Sequence, residues 1–466
     1  MPSTRRGFLA GVTALAGGLA GCNDRTGRAV DGTVTPVEVP RTEREVLREA
    51  TAIEAPSIPP ATVVSEAHLE SAIDQLDRLK RSLADVVESR EKPVGDAPRF
   101  GPEGTPEATV EQVDERIRQA RETEPSAEAL DALGTTLHDV AMWIGYLRAE
   151  SGDLSLADVE EALEVERAAV RALRDDVKYR VAAPVADTLP AVHAAEQRLQ
   201  RLGDDGRMEV QPAEGDAVER NATAVSEPER TPTTEPEPTP TPEPDAEHVA
   251  HRYYRLERVR RRRDDVERYL ETATDDGAPS VRAPLQRELT DVRKALEPIA
   301  AEYRTDEGQS RGESLVESIK GLRRSFGGGP HRYLSRTPAE PPDGELVRVL
   351  FDGVEQLVSF RATDAGVERT LERLEGRRFP TETLIGEKQR AADRLEHAAE
   401  QSALHRAFAG RAEQVLRSAD EFEHREDATV EQVARMHALY VASGEWADRA
   451  VDRADAISSA IQAQQS

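Results

Sequence analysis

The 466-residue sequence contains a single cysteine, and aromatic residues make up only 4% of it. One cysteine cannot form a disulfide within the chain or a cluster of thiolate metal ligands. The sequence also lacks any run of about 20 apolar residues, which is the length that a membrane-spanning helix needs. These absences exclude a disulfide-stabilised fold and a body built from membrane spans.

Lysine is nearly absent as well. The basic residues are 56 arginines and six lysines, against 89 acidic residues, and the formal net charge is −27. Repulsion among so many carboxylates opposes compaction, and concentrated salt relieves that repulsion by screening. The composition therefore indicates a halophilic source. It also argues against nucleic acid as a partner, because phosphate binding needs a net basic face.

Sequence motifs of known catalytic sites are missing too. The chain has no Gly-x-Ser-x-Gly elbow, no phosphate-binding loop ending in Gly-Lys-Ser/Thr and no dinucleotide fingerprint. Carboxylates are so numerous that no acid–base pair stands out, and salt adaptation explains them better than catalysis does. We therefore predict a protein that is not an enzyme.

The N-terminal 22 residues have the features of an export signal. Arg5 and Arg6 precede an apolar stretch, residues 8–21, that is too short to span a membrane. The stretch ends in Leu-Ala-Gly directly before Cys22, the only cysteine. This segment resembles the twin-arginine signal peptides with a lipobox that many haloarchaeal surface lipoproteins carry.

The resemblance implies that the mature chain begins at Cys22 with a thioether-linked lipid. Two buried lipid chains give lasting attachment, whereas one gives only marginal binding. We therefore expect a protein anchored by lipid to the outer face of the cytoplasmic membrane. We expect no cofactor beyond that lipid, with a bound metal as the open alternative. The alternative is an apolar start with an unmodified cysteine.

Composition and apolar spacing divide the chain into five segments. Residues 1–21 are the signal peptide, and residues 22–60 read as a lipidated tether without sustained periodicity. In residues 61–203 and 248–466 apolar side chains recur at steps of three and four, the spacing of a buried helix face. Residues 204–247 are rich in Pro, Thr and Glu and are expected to form a disordered, stiff spacer. We therefore predict an all-α fold with two helical-bundle or coiled-coil-like domains joined by that linker.

The linker holds the chain's only Asn-x-Thr sequon, at Asn221. Exposure in a linker of an exported protein favours glycosylation at this asparagine. Short sequons also arise by chance, so an unmodified Asn221 is the alternative.

A local reversal of charge marks residues 318–339, which contain no Asp or Glu. Guanidinium groups bind sulfate, phosphate or carboxylate, the glycines at 327–329 let backbone N–H groups approach an anion, and Tyr333 or Phe326 offers a ring for a sugar. The candidate anion-binding residues are Lys320, Arg323, Arg324, His331, Arg332, Tyr333 and Arg336. The alternative is a connector between helices whose arginines pair with acidic neighbours.

A second arginine-rich stretch, residues 255–263, lies on a predicted helix. Glu257, Asp264, Asp265 and Glu267 fall within one or two turns of these arginines. This spacing favours a salt-bridged, solvated face over a surface that binds lipid headgroups or acidic polymers.

Two His-x-x-Glu pairs each place two potential metal ligands one helical turn apart. They are His193 with Glu196, and His397 with Glu400. The pairs resemble the Gly-x-His-x-x-Glu signature of imelysin-like helical surface proteins, although alanine and leucine replace the glycine here. Such pairs also arise by chance in helices rich in Ala and Glu.

Together these features predict a lipid-anchored cell-surface protein that acts as a non-enzymatic binding or scaffold module. Its expected partners are the membrane, through the lipid, and an anionic envelope glycan or a surface protein. Self-association of the helices also remains open. The alternative function is that of a helical-bundle metal-binding or peptidase-like (imelysin-like) surface protein.

Overall fold

The computed structural model confirms the all-α prediction for the residues that it describes. These are residues 39–90, 104–205, 245–306, 315–326, 329–374, 378–421 and 429–465. Over these ranges the chain forms helices and no β-sheet; the extended pairing is limited to isolated bridge residues, such as the antiparallel bridge between Val181 and Thr274.

The first seven helices span residues 41–273. In chain order they are α1 (Arg41–Ala52), α2 (Glu66–Glu88), α3 (Pro106–Glu122), α4 (Ala127–Ser151), α5 (Leu156–Asp175), α6 (Val185–Asp205) and α7 (Ala246–Ala273). Serine or threonine side chains cap α2 to α5 by accepting the N–H of the third helical residue, as the sequence before these helices favours. Gly152 ends α4 in the left-handed conformation that glycine adopts without strain.

The remaining helices span residues 282–465. They are α8 (Arg282–Asp306), α9 (Leu315–Phe326), α10 (Pro330–Arg336), α11 (Leu346–Arg373), α12 (Thr383–Ala399), α13 (Ala403–Asp420) and α14 (Val430–Gln465). The long helix α14 is central to this second body and packs against α8, α9, α11, α12 and α13. Its fully buried Tyr440 and Trp446 are among the largest side chains in the core.

Packing assigns α7 to the first body, although it follows the predicted domain boundary at residue 248. The helix contacts α4, α5 and α6 and buries an apolar face that includes Val259 and Val266. Gly145 of α4 allows this close approach, since a Cβ there would lie 2.7 Å from the Ala250 Cα. Residues 206–244, which lie outside the described residues, therefore join two neighbouring helices of one body. The boundary between the bodies falls after α7.

Helix α6 connects the two bodies directly. It packs against α5 and α7 of the first body and against α11, α13 and α14 of the second. The buried apolar side chains of both bodies form one cluster. The Asp187 carboxylate on α6 also accepts the Ala403 backbone N–H at the start of α13 (3.0 Å). The two bodies thus share an interface in addition to their covalent connection.

The predicted tether, residues 22–60, needs correction from Val39 onward. Helix α1 packs against α12 and buries Leu47 and Ala50. The fully buried Lys388 donates to the backbone oxygen of Thr51 (3.1 Å). Two buried apolar positions one turn apart give only a weak periodic signal, which explains why the sequence did not reveal this helix.

Candidate functional site

A cleft of about 1070 Å³ opens on the second body between α9, α10 and α11. Gln200 of α6 and Glu302 of α8 complete its walls. All seven residues proposed from the sequence as anion ligands line this cleft: Lys320, Arg323, Arg324, His331, Arg332, Tyr333 and Arg336. The structure thus brings together two basic helices that the glycine-containing connector separates in the sequence.

Helix α9 turns its basic side chains to the cleft because its opposite face is buried. Ile319 and Leu322 are 0% and 3% exposed and belong to the core. Helix α10 is held by Tyr333, whose hydroxyl donates to the Val349 backbone oxygen of α11 (2.8 Å). Gly353 makes room for that hydroxyl, since a Cβ there would lie 2.5 Å from its oxygen.

The aromatic and glycine part of the anion prediction needs correction. Tyr333 is only 8% exposed and its burial raises its pKa to about 12, so the ring anchors α10 and cannot stack on a sugar. The Gly329 N–H is already donated to the Gln356 Oε1 (3.0 Å) and is not available to an anion. The Phe326 side chain and glycines 327 and 328 lie outside the described residues.

Two of the predicted cations behave as the connector alternative expects. Arg323 pairs with Asp364 of α11 and lies 3.8 Å from Glu368. Lys320 lies 3.7 Å from Glu317, one turn earlier on α9. These two side chains are therefore at least partly neutralised by protein carboxylates.

Three arginines of the cleft differ from Arg323 and Lys320. Arg324 on α9 and Arg332 and Arg336 on α10 are exposed, and none forms a salt bridge or a side-chain hydrogen bond with the described part of the chain. Arg332 and Arg336 are four residues apart and so share one face of α10. Their guanidinium groups are available to an external anion.

The carboxylates of the cleft are largely neutralised by other cations. Arg348 pairs with Glu345 (3.0 Å) and with Asp352 (3.1 Å), while Glu355 pairs with Arg411 of α13. Burial raises the pKa of Asp352, and the neighbouring Arg348 opposes that rise. Among the residues that the structure describes, the three arginines without a carboxylate partner therefore dominate the charge that a ligand meets.

Arg348 was not identified from the sequence, although its position predicts its partners. Glu345, which directly precedes α11, and Asp352 on α11 lie three and four residues from Arg348, which is the spacing of helical ion pairs. The backbone N–H of Arg348 donates to the Glu196 Oε2 (2.6 Å), and the Tyr179 hydroxyl donates to the Glu196 Oε1 (2.8 Å).

This environment changes the interpretation of the first His-x-x-Glu pair. Glu196 is fully buried, and burial raises its pKa to about 7. The His193 ring stacks on Phe351 (4.2 Å between centroids), and burial lowers its pKa to about 3. Both side chains serve packing and hydrogen bonding between α6 and α11.

The second pair lies in different surroundings, because His397 and Glu400 at the end of α12 are exposed. Within the described ranges, no group of three or more His, Cys, Asp and Glu side chains is arranged to hold a metal ion. The four predicted ligands do not form one site.

The arginine-rich stretch on α7 is salt-bridged, as predicted, but it is not a wholly solvated face, because Arg261 and Asp265 are buried between helices. Arg260 pairs with Glu166 of α5 (3.1 Å) and Glu257 (2.6 Å), and Arg263 shares Glu166. Arg261 pairs with Asp265 one turn later. These guanidinium groups are committed to protein carboxylates.

The remaining predicted sites lie outside the described residues. They are the signal arginines Arg5 and Arg6, the lipidation site Cys22 and the sequon asparagine Asn221. Of the helices that the structure describes, none combines the length and the apolar character needed to cross a membrane.

Residues 67–280 match the model of a family described as a domain of unknown function, DUF8262. The match runs from the start of α2 to just beyond α7, so it coincides with the first body as packing defines it. Comparison with curated proteins and with solved structures found no match. Apart from Gln200, the residues that line the cleft lie outside the matched region.

Proposed function

We propose that the protein is an exported, lipid-anchored surface protein whose second body binds an anionic ligand in the cleft between α9, α10 and α11, without catalysing a reaction. The arrangement of Arg324, Arg332 and Arg336 carries this proposal: three exposed guanidinium groups line one cleft without a protein partner in the described chain. In a chain of net charge −27, three arginines without a carboxylate partner among the described residues favour an external anion.

The chemistry of the ligand follows from guanidinium geometry. Arginine donates two parallel N–H groups to a carboxylate, sulfate or phosphate, and such paired contacts are stronger than neutral hydrogen bonds. In molar salt the screening length is only about 3 Å, so direct contact matters more than long-range attraction. The proposed ligand therefore presents its anionic groups directly to the arginines.

The size of the cleft favours a ligand larger than one ion. Its volume of about 1070 Å³ is far more than a single sulfate fills. Arg324 stands on a different helix from Arg332 and Arg336, so one ligand must carry several anionic groups to reach all three. An acidic or sulfated oligosaccharide of the cell envelope has this chemistry.

The proposed anchor fits the position of the first folded residues. Sixteen residues separate Cys22 from Val39, which can span at most about 55 Å. The folded part would then lie close to the membrane surface, where envelope polymers are attached. The support for this anchor is the signal and lipobox pattern that ends at Cys22.

Binding is tested with the mature chain carrying Cys22→Ser, which removes the lipid and leaves the folded bodies intact. We expect retention on a sulfated polysaccharide support, and earlier salt elution for Arg324→Ala/Arg332→Ala/Arg336→Ala. The matched control is Arg116→Ala/Arg118→Ala/Arg121→Ala on α3, which removes the same charge from exposed arginines of the first body. Equal elution of the two triple variants would show that net charge alone causes retention and would contradict the proposal.

The anchor is tested separately in cells of a salt-loving host. We expect the wild-type protein to partition into detergent and to carry a lipid on its N-terminal residue, while Cys22→Ser partitions into water. Replacing Arg5 and Arg6 with lysine should leave the precursor in the cytosol. A wild-type chain recovered from the cytosol with its first 21 residues intact would contradict export and anchoring, whatever the cleft binds.

A further inference from the structure

The first turn of α11, which forms one wall of the cleft, is held by residues from outside the second body. A helix begins with backbone N–H groups that have no partner within the helix, and a side chain of the preceding residue usually caps them. Glu345, which precedes α11, makes no such side-chain bond. The Tyr179 hydroxyl instead accepts the N–H groups of Gly344 (2.8 Å) and Leu346 (3.2 Å), and Glu196 accepts that of Arg348.

Tyr179 occupies an unusual backbone conformation to reach this point. It lies between α5 and α6, is 1% exposed and has φ of +50°. A left-handed conformation costs a residue other than glycine about 1 kcal/mol or more and persists only where its surroundings fix it. Its burial raises the pKa of the Tyr179 hydroxyl, which therefore remains a donor to Glu196.

A second contact between the bodies lies beside the first. Arg174 at the end of α5 is 3.8 Å from Glu345. Gly344 takes φ of +75° and passes so close to Arg174 that a Cβ would lie 2.7 Å from its Cγ. The segment before α11 is thus packed directly against the first body.

Arg348 links the first body to the carboxylates of the cleft. Its backbone N–H is held by Glu196, while its side chain neutralises Glu345 and Asp352. The Arg348 side chain is only 11% exposed, so its main effect is on those two carboxylates. If the first turn of α11 unwound, Arg348 would move away from Asp352 in the following turn, which would leave Asp352 as an uncompensated negative charge facing the anion.

We infer that Tyr179 and Glu196 are positioning residues of the cleft, which hold Arg348 against the cleft carboxylates and thereby make the affinity for an anion depend on the first body. The inference rests on the proposed function. It adds a role for the first body, because Tyr179 and Glu196 belong to the region that the family model matches.

The test measures the affinity of the Cys22→Ser mature chain for a heparin-derived hexasaccharide. Tyr179→Phe removes only the hydroxyl, and Glu196→Ala removes the carboxylate. We expect each to weaken binding about fivefold, the effect of about 1 kcal/mol. Glu196→Gln keeps an oxygen for the Arg348 N–H and should retain near wild-type affinity. The control is Tyr253→Phe on α7, a buried tyrosine without a side-chain hydrogen bond in the described chain.

A second-site variant separates positioning from a general loss of stability. If Glu196→Ala acts by releasing Arg348 from Asp352, then Asp352→Asn should raise the affinity more in the Glu196→Ala background than in the wild type. Unfolding midpoints of all variants are measured in parallel.

Each possible result supports or contradicts the positioning role of Tyr179 and Glu196. Unchanged affinity in Tyr179→Phe and Glu196→Ala would overturn the inference, and so would a loss that Asp352→Asn raises no more than in the wild type. A wild-type chain that does not bind the hexasaccharide would overturn the proposed function, and this inference with it.

Discussion

The two arginine-rich segments of the chain, residues 255–263 and residues 318–339, have similar composition but different surroundings. On α7, Arg260 and Arg263 share the buried Glu166 of the neighbouring helix α5. Along the cleft, Arg323 has acidic neighbours on α11, but Arg324, Arg332 and Arg336 have no such partner among the described residues. The first segment stabilises the fold, and the second is open to a ligand.

The difference follows from where the acidic residues lie. Acidic residues occur within one or two turns of the arginines on α7, so most pairs form within the helix. Residues 318–339 contain none, so apart from Glu317, which precedes them on α9 and lies near Lys320, their partners must come from other helices. An arginine cluster without local acidic residues is therefore the better candidate for a binding site.

Two buried carboxylates, Glu166 and Glu196, also differ in the groups that donate hydrogen bonds to them. Glu166 accepts hydrogen bonds from two guanidinium groups, whereas Glu196 accepts them from one hydroxyl and one backbone N–H. A neutral environment favours the protonated acid, and burial raises the pKa of Glu196 to about 7.

The largest expected effect is the dependence of stability on Glu196 and pH. In the unfolded chain this acid has its ordinary pKa of 4.5, so between about pH 4.5 and 7 only the folded state keeps the proton. The contribution of Glu196 is therefore fully present below pH 4.5 and is lost as the pH rises through 7. Relative to Glu196→Gln, we expect the wild type to lose about 3 kcal/mol of unfolding free energy between pH 4 and 8.

The measurement is chemical denaturation of both proteins at constant salt across this range. Because the other carboxylates titrate in both proteins, their contributions cancel in the difference. A difference that does not change with pH would contradict the burial of an uncompensated acid at this position.

The next largest effect is a loss of stability when the salt bridges of residues 255–263 on α7 are removed. Glu166→Ala leaves Arg260 and Arg263 without their shared partner, and we expect a loss of about 2 kcal/mol, less than for a fully buried pair because both arginines are about one-third exposed. Glu267→Ala, which removes an exposed partner of Arg263, should cost less than about 0.5 kcal/mol. Denaturation midpoints of the two variants give the comparison.

Glu166→Ala should also leave arginines in residues 255–263 without one of their carboxylate partners, and so more like those in residues 318–339. The freed arginines are expected to add a weak anion site, visible as retention on a sulfated support even when Arg324, Arg332 and Arg336 are replaced by alanine. Equal retention with and without Glu166 would show that unpaired arginines alone do not create binding.

A smaller effect is expected on the affinity of the cleft for its ligand. Asp364→Asn removes one carboxylate partner of Arg323 and should tighten hexasaccharide binding about twofold, the range of an exposed ion pair. Asp114→Asn removes the same charge from the ion pair between Lys80 of α2 and Asp114 of α3 and should leave binding unchanged. A matching gain in both variants would indicate a general effect of net charge.

The sequence predicted those features that depend on neighbours along the chain. The apolar spacing within helices predicted the all-α fold, and the absence of acidic residues between 318 and 339 predicted which cations line the cleft. The pairing of Arg348 with Glu345 and Asp352 could have been predicted from the same local spacing.

The features that the sequence did not reveal depend on contacts across the fold. Neither the packing of α7 on the first body nor the docking of α1 by the buried Lys388 leaves a local pattern. The same holds for Tyr179, since a tyrosine between two helices gives no sign that its hydroxyl caps a helix about 165 residues later. The Tyr333 ring was expected to meet a ligand because its anchoring to α11 is also a long-range contact.

The smallest expected effect concerns the two His-x-x-Glu pairs, one buried and one exposed. The Glu196 oxygens are occupied by Tyr179 and Arg348, and His193 is stacked on Phe351, so a metal would have to displace these contacts. His397 and Glu400 offer two ligands where a zinc site needs three or four.

We therefore expect less than about half an equivalent of transition metal in the dialysed protein, with no change in His397→Ala. The measurement is elemental analysis of both proteins after dialysis at working salt. A full equivalent that His397→Ala removes would contradict this expectation. Such a metal would need ligands beyond this pair, and it would favour the metal-binding alternative over a cleft whose charge is set by arginine alone.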